Sequence, residues 1–353
     1  MFALPARDLD HILNHTGDVW PELCGKKIFI TGGTGFFGRW LLESFVWAVD
    51  RLRLGAELTV LTRCPEAFQA KAPHLALHPA IHLLRGDVRT IDVSEGQYSY
   101  IIHGATEASA KVNREQPFLM LDTIVQGTRR SLEYARNSGA TRFLLLSSGA
   151  VYGAQPPEIL RITEDSWGGP DTTDPRSTYA EGKRLAELTA VLFARTYGLK
   201  CPIARCFAFV GAHLPLDAHF AIGNFIGDCL NGRAIEIRGD GTPHRSYLYA
   251  ADLATWLWTI LIAGESCRAY NVGSEEDLSI AELARKCAEV MESREGFRIA
   301  QPVSVAAPER YVPDTSRARH DLGLRQRVSL EEAIRRTAAW HGWAAPVEAE
   351  ARA

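Results

Sequence analysis

Hydrophobic positions along this chain follow two alternating rhythms. Short apolar runs at 27–31, 57–62, 81–84, 100–103 and 142–147 read as strands buried on both faces. Between them, 36–49 and 117–137 carry apolar residues three and four apart and read as helices. Strand alternating with helix predicts an α/β fold, a doubly wound parallel sheet of Rossmann type with helices on both faces. Beyond Pro170 the alternation loosens into a helix over 175–197, strands over 204–210 and 235–238, and helices near 250–263, 280–291 and 330–340. That change predicts a smaller C-terminal lobe. No internal repeat or low-complexity linker separates the two parts.

The first strand runs directly into Gly32-Gly33-Thr34-Gly35-Phe36-Phe37-Gly38 and re-emerges as a helix. In this order the glycines suit a dinucleotide. Gly32 permits the sharp turn, Gly35 lets the backbone approach a pyrophosphate, and Gly38 lets the helix pack closely, so phosphate oxygens meet the helix N-terminus. Thr34, Phe36 and Phe37 belong to the same cofactor loop. The chain then divides into an N-terminal extension (1–25) with a short helix around Leu9–Leu13, a dinucleotide-binding core (26–170), and a substrate-binding lobe (171–345) interleaved with the end of the core. At the end of the second strand, where an acid usually takes the adenosine ribose, stand Thr62 and Arg63. Arg63 favours a 2′-phosphate and hence NADP, with NAD as the alternative. Gly86-Asp87-Val88, after the third strand, offers Asp87 to the adenine amino group with Val88 beside it.

Composition narrows the partners. The 353 residues are 46% hydrophobic and 23% charged with a formal net charge of -3, which gives no global field to attract nucleic acid or an anionic membrane. Any anionic ligand must be held locally. No run reaches membrane-spanning length, and Arg7, Asp8, Asp10 and His11 interrupt the N-terminal segment where a signal peptide would be apolar. The seven cysteines form neither a CxxC pair nor a metal-ligand spacing, so they read as reduced core thiols of a cytoplasmic protein that needs no metal.

Tyr179-Ala180-Glu181-Gly182-Lys183 carries the chemistry. Residues four apart share a helix face, so Tyr179 and Lys183 point into one cleft. An ammonium beside a phenol favours the phenolate, which predicts a tyrosine pKa lowered from about 10 toward neutrality. Such a tyrosine passes a proton to or from a sugar hydroxyl. A lone Tyr-x-x-x-Lys is usually a surface pair; the glycine loop and the strand ending in Ser147-Ser148 tip this one toward function.

Together, Gly32-x-x-Gly35-x-x-Gly38, Gly86-Asp87, His103-Gly104-Ala105, Ser147 through Gly153, Tyr179-x-x-x-Lys183 and Arg205 through Gly211 resemble the extended short-chain dehydrogenase/reductase family. The resemblance is to its branch of nucleotide-sugar epimerases, dehydratases and reductases, and it spans 26–340. It implies a catalytic set in which Ser148 orients the reacting sugar oxygen, Tyr179 exchanges the proton, and Lys183 also holds the nicotinamide ribose. It further implies Ala105 beside the cofactor, a nucleotide-diphosphate sugar as substrate, and a homodimer. The diphosphate clamp is similar to Asn224 together with Gly239-Asp240-Gly241 and Arg245, whose planar fork can donate two hydrogen bonds at once. Glu107, where relatives place a sugar-facing side chain, and His219, on the loop before Asn224, are further substrate candidates, each equally readable as a structural polar residue.

Departures from the family pattern narrow the reaction. Its 4,6-dehydratases carry an Asp-Glu pair directly after the hydroxyl residue to drive loss of water, whereas Gly149-Ala150 follow Ser148 here. Elimination is disfavoured. Ile124 stands where the family often has Asn on the long helix, and Ala208 stands for the Asn after Arg-x-Phe. The leading expectation is an NADPH-dependent reductase of a nucleotide-linked 4-keto-6-deoxyhexose, in surface-polysaccharide or deoxysugar biosynthesis. An NAD-dependent 4-epimerase and a non-catalytic nucleotide sensor of the same fold are the alternatives; intact Ser148, Tyr179 and Lys183 argue against the sensor.

Overall fold

The computed structural model describes residues 3–93, 96–106, 110–218, 220–304 and 306–344. Seven strands build its main sheet: β1 (Lys27–Thr31), β2 (Glu57–Thr62), β3 (Ile81–Arg85), β4 (Tyr100–His103), β5 (Arg142–Ser148), β6 (Ile203–Cys206) and β7 (Ala269–Val272). Their order is β7-β6-β5-β4-β1-β2-β3, and every neighbouring pair is parallel. The order reverses between β1 and β4. That switch point opens a crevice at the carboxyl ends of the strands, where the glycine loop leaves β1.

The side-chain period of two explains why these strands read as continuous apolar runs. Ile28, Ile30, Ile102, Leu144 and Leu146 face one core, while Phe29, Ile101, Phe143 and Leu145 face another. Helices Phe36–Leu52 and Ala250–Ala263 cover the first face, and helices Pro117–Asn137 and Thr178–Tyr197 cover the second. Both faces are dry, so no polar alternation survives in the sequence.

The N-terminal extension is bound into the first layer. Its helix Ala6–His15 packs on Phe36–Leu52 and Ala250–Ala263. The buried Asp8 carboxylate accepts from Tyr249 Oη (2.8 Å) and from Arg336 Nη1 (2.8 Å), Asp10 accepts from Trp47 Nε1 (2.9 Å), and His11 Nε2 lies 2.8 Å from Asp252 Oδ1.

The strand expected over 204–210 is divided. β6 stops at Cys206, and Phe209–Val210 pairs instead with Leu248–Tyr249. Phe207 makes the break: its N–H donates to Val272 O (3.0 Å) while its ring turns over Gly149, where a Cβ would come within 2.7 Å of it. β7 was not anticipated. The remaining chain adds helices Ala221–Leu230, Ile280–Val290 and Leu330–Trp340 and a small sheet of Asp277–Ser279, His244–Ser246 and Arg310–Tyr311. The Ile280–Val290 helix starts on a reciprocal Ser279–Glu282 capping box. Among the described residues, no helix is long and apolar enough to cross a membrane.

Candidate active site

At the mouth of β1 the glycines have separate jobs. Gly32 adopts φ 78°, and a Cβ there would meet the carbonyl carbon of Gly104 at 2.6 Å. A Cβ on Gly38 would strike Gly33 at 2.4 Å, so Gly38 lets the helix approach its own loop rather than the strand. Gly35 differs, because a Cβ there would meet only Gly32 O at 3.4 Å. Gly35 is also the N-cap of the Phe36–Leu52 helix, and no side chain caps that end. The first-turn N–H groups around Phe36, Phe37 and Gly38 are thus left for an external acceptor, which fits a pyrophosphate.

A buried histidine braces this loop. His103, at the end of β4, sits between Thr31 Oγ1 (2.8 Å) and Thr128 Oγ1 (3.1 Å), and Thr31 Oγ1 also accepts from Ala105 N (3.1 Å). Burial, then the nearby Lys183 ammonium, pushes His103 down to about 3, so the ring is neutral at physiological pH.

Arg63 is exposed at the end of β2, and its charge reaches Asp87. The Asp87 carboxylate is held down to about 2, chiefly by Arg89, whose Nε and Nη2 donate to Oδ1 (3.0 Å) and Oδ2 (2.8 Å). Val88 beside it is buried against Gly127 of the long helix, where a Cβ would come within 2.9 Å of Cγ1.

The catalytic candidates converge on Ser148 at the tip of β5. Its Oγ accepts from Ala150 N (3.2 Å), lies 3.4 Å from Tyr311 Oη, and stands beside the Tyr179 phenol, whose pKa it lowers. Lys183 is buried beneath, its Nζ donating to Leu146 O (2.8 Å) and lying 5.8 Å from the centre of the Tyr179 ring. The expected lowering of the Tyr179 pKa is reversed. Burial pushes the phenol up to about 12 against a smaller opposing contribution from Ser148, and burial pushes the Lys183 ammonium down to about 8. Desolvation decides the sign, and the ammonium lies 5.8 Å from the ring centre. The resting site therefore holds a protonated phenol above an ammonium.

Two residues of this site escaped the sequence. Tyr311 lies on a two-residue strand, its ring 4.6 Å from that of Phe207 and 5.9 Å from the Arg245 guanidinium. No periodicity marks so short a strand. Asn113 reaches across from helix Ala110–Glu115: its Oδ1 accepts from Tyr179 N (3.1 Å) and its Nδ2 donates to Arg176 O (3.1 Å), capping a helix whose own N-cap, Ser177, offers no side-chain bond. Ile124, at the family's Asn position, is fully buried against Gly182, and Lys183 takes the Leu146 carbonyl.

Behind the site runs a buried polar network. Arg205 of β6 grips Glu187 of the Tyr179 helix through Nε (3.0 Å) and Nη2 (2.7 Å) and donates to Tyr152 Oη (2.9 Å); Ser147 Oγ donates to Glu187 Oε1 (2.5 Å). Tyr152 Oη in turn donates to Asn271 Oδ1 of β7 (2.7 Å). Of the substrate candidates, Arg245 borders the cleft through Tyr311, with its Nη1 donating to His244 O (2.8 Å) and its Nη2 3.6 Å from Glu309. Asn224 is half-buried in the first turn of Ala221–Leu230. Asp240 is a turn former, accepting from Thr242 N, Thr242 Oγ1 and Ser304 N. Glu107 and His219 lie outside the described residues.

Residues 28–273 match the model of the NAD dependent epimerase/dehydratase family. The chain belongs to that family. Among similar proteins, UDP-glucuronic acid decarboxylase 1 of Danio rerio is 31% identical over 313 residues, covering 88% of this chain and 72% of the relative. UDP-glucuronic acid decarboxylase 6 of Arabidopsis thaliana is 30% identical over 314 residues, covering 87% and 86%. Among solved structures, the dTDP-glucose 4,6-dehydratase DesIV of Streptomyces venezuelae, with NAD bound, superposes with a TM-score of 0.75 at 25% identity over 89% of this chain and 96% of its own. UDP-glucose 4-epimerase of Thermotoga maritima has the same fold, with a TM-score of 0.75 at 23% identity over 89% and 98%. The epimerase/dehydratase sheet thus carries several reactions on nucleotide sugars, and membership does not choose among them.

Proposed function

We propose that the protein transfers hydride at carbon 4 of a nucleotide-linked sugar, as an NADPH-dependent reductase of a 4-keto-6-deoxyhexose. One observation carries this reading: Ser148 stands between the phenols of Tyr179 and Tyr311, with Lys183 beneath and Gly149-Ala150 following. Ser148 Oγ has two lone pairs and one proton. One lone pair takes Ala150 N–H and the other faces Tyr311, whose burial keeps it a donor, so the serine proton is left for the sugar oxygen or for Tyr179. Tyr179 then delivers its own proton to the ketone oxygen. The bound dinucleotide supplies the hydride. The residues after Ser148 offer no acid or base to expel water. Assays with NADPH or NADH and a panel of nucleotide-linked hexoses and 4-keto sugars, read by mass spectrometry, test the reading; stoichiometric oxidation of NADPH by a 4-keto sugar is the expected result. Interconversion of 4-epimers with NAD retained would replace it with the epimerase reading, and loss of carbon dioxide from a nucleotide-linked uronic acid would replace it with decarboxylation.

NADP use rests on Arg63. A charge-assisted contact to a 2′-phosphate contributes about 1.5 to 3 kcal/mol, or about one to two orders of magnitude in affinity. Arg63→Asp should reverse a preference for NADPH over NADH in binding measurements. Equal affinities in the parent, unchanged by the substitution, would reject the assignment.

Arg245 is proposed to hold the substrate diphosphate. Calorimetry of Arg245→Leu should then record weakened nucleotide-sugar binding with dinucleotide binding intact; the opposite pattern would assign Arg245 to the cofactor.

A homodimer is proposed through the Pro117–Asn137 and Thr178–Tyr197 helices. Leu185, Leu188 and Leu192, spaced on one helix face, are 44 to 55% exposed, and Phe118 is 81% exposed on the neighbouring helix. A second copy related by a two-fold axis would bury this face in a four-helix packing. Light scattering should find a dimer for the parent and a monomer for Leu188→Glu/Leu192→Glu; a monomeric parent would end the idea.

A further inference from the structure

Among the described residues, eight buried side-chain nitrogen and oxygen atoms lack a hydrogen-bond partner, and five of them lie in one cluster: Arg39 Nε and Nη2, both ring nitrogens of His213, and Trp340 Nε1. The cluster sits where the glycine-loop helix, the loop after Phe209–Val210 and the end of the Leu330–Trp340 helix meet. His213 and Trp340 pack edge to face with ring centres 4.6 Å apart. Arg39 is 4% exposed, and the side chain of His213 is 4% exposed. Buried donors are normally satisfied, and each one left alone requires a cause.

We infer that Arg39, His213 and Trp340 form a binding pocket for a small oxyanion, a phosphoryl or carboxylate group, distinct from the dinucleotide and sugar sites. The unpaired atoms of Arg39 are the parallel N–H pair of the guanidinium fork. Elsewhere in this chain the same pair is filled by a carboxylate: Glu187 on Arg205, with Nε at 3.0 Å and Nη2 at 2.7 Å, and Asp87 on Arg89, at 3.0 Å and 2.8 Å. Two acceptor oxygens held at fixed separation are what that fork selects. Trp340 can only donate, and the neutral His213 donates from one nitrogen and accepts at the other, so the fork and Trp340 together ask for an acceptor.

The unfilled guanidinium fork favours an oxyanion over water. Glu43 is the neighbouring carboxylate, and its oxygens are already engaged, Oε1 by His74 Nε2 (2.8 Å) and Oε2 by Leu4 N (3.3 Å). Its Oε1 lies 3.9 Å from His213 Nε2. Against this one carboxylate stands the Arg39 guanidinium. Burial first, then Arg39, His74 and His341, pushes His213 down to about 3, so the ring is neutral and leaves the guanidinium as the cation of the cluster. An oxyanion would satisfy the fork of that cation. Phe68, whose ring centre is 5.8 Å from the Arg39 guanidinium, walls one side.

The test is a titration with inorganic phosphate, and in parallel with acetate, at constant ionic strength, followed by thermal unfolding and calorimetry. Saturating NADP is present so that phosphate reports neither on the glycine loop nor on Arg63. The parent should be stabilised saturably, and Arg39→Met should bind at least about tenfold more weakly, the loss of one bidentate charge-assisted contact. Arg39→Lys, which keeps the charge and loses the fork, should also bind more weakly than the parent. Stronger binding of phosphate assigns a phosphoryl ligand, and equal binding of acetate assigns a carboxylate. No saturable response in the parent, or an equal response in Arg39→Met, would each overturn the pocket.

Discussion

Tyr179→Phe is expected to lower kcat by about two to four orders of magnitude, the range for removing a positioned proton donor, while dinucleotide affinity stays within a few-fold of the parent. The substitution deletes one hydroxyl, beside Ser148, and leaves the ring in place over Lys183. Activity near that of the parent would remove Tyr179 from the mechanism. The pH profile carries a second signature. Burial holds Lys183 at about 8, below its usual lysine value, so its positive charge is present below that pH and is lost as pH rises through it. The kcat/KM for the dinucleotide, which reports the free enzyme, should therefore fall above about pH 8. In Lys183→Met that alkaline limb should disappear along with most of the activity; persistence of the limb would assign it to another group.

The largest stability effect is expected at Glu187. Removing one partner of a buried ion pair costs about 3 to 5 kcal/mol, because the remaining charge stays desolvated. Glu187→Gln keeps the shape but leaves Arg205 buried without its carboxylate and weakens the hold on Ser147 next to Ser148. Denaturant unfolding should register a loss of that size. Replacing both residues, Glu187→Leu with Arg205→Met, should destabilise by less than the two single losses added, since no orphaned charge remains. Strict additivity would mean that the pair is not coupled.

How far the sequence could be read depended on whether a residue's partners were near in the chain. β1, β2 and β4 have the expected bounds because each strand's burial is written in its own residues. The glycine loop and the Tyr179-x-x-x-Lys183 pair were legible for the same reason: their geometry is local. β7 was not, because its four residues include Asn271, whose side chain is buried by bonds to Tyr152, Ile162 and Asp314 that no local pattern announces. Tyr311 reaches Ser148 across 163 positions of sequence, and Asn113 caps Tyr179 across 66. The Tyr179 pKa was misjudged for a different reason. Sequence spacing places charges on one face but does not say how dry that face is, and dryness decided the sign.

The anchoring of Asp8 has a consequence for the order in which the chain acquires its structure. Its carboxylate is almost wholly buried, and its two hydroxyl and guanidinium partners stand 241 and 328 positions further on. Made long before its partners, Asp8 has to wait for the Leu330–Trp340 helix before its socket is complete. Until Arg336 emerges, seating the N-terminal helix would bury a carboxylate lacking its cation, so that helix has reason to stay solvated during synthesis. The contact closes nearly the whole chain into one loop and belongs among the late events of folding, after the local strand and helix pairs have formed. A nascent chain halted before residue 336 should therefore leave its N-terminal helix open to proteases, while the finished protein protects it.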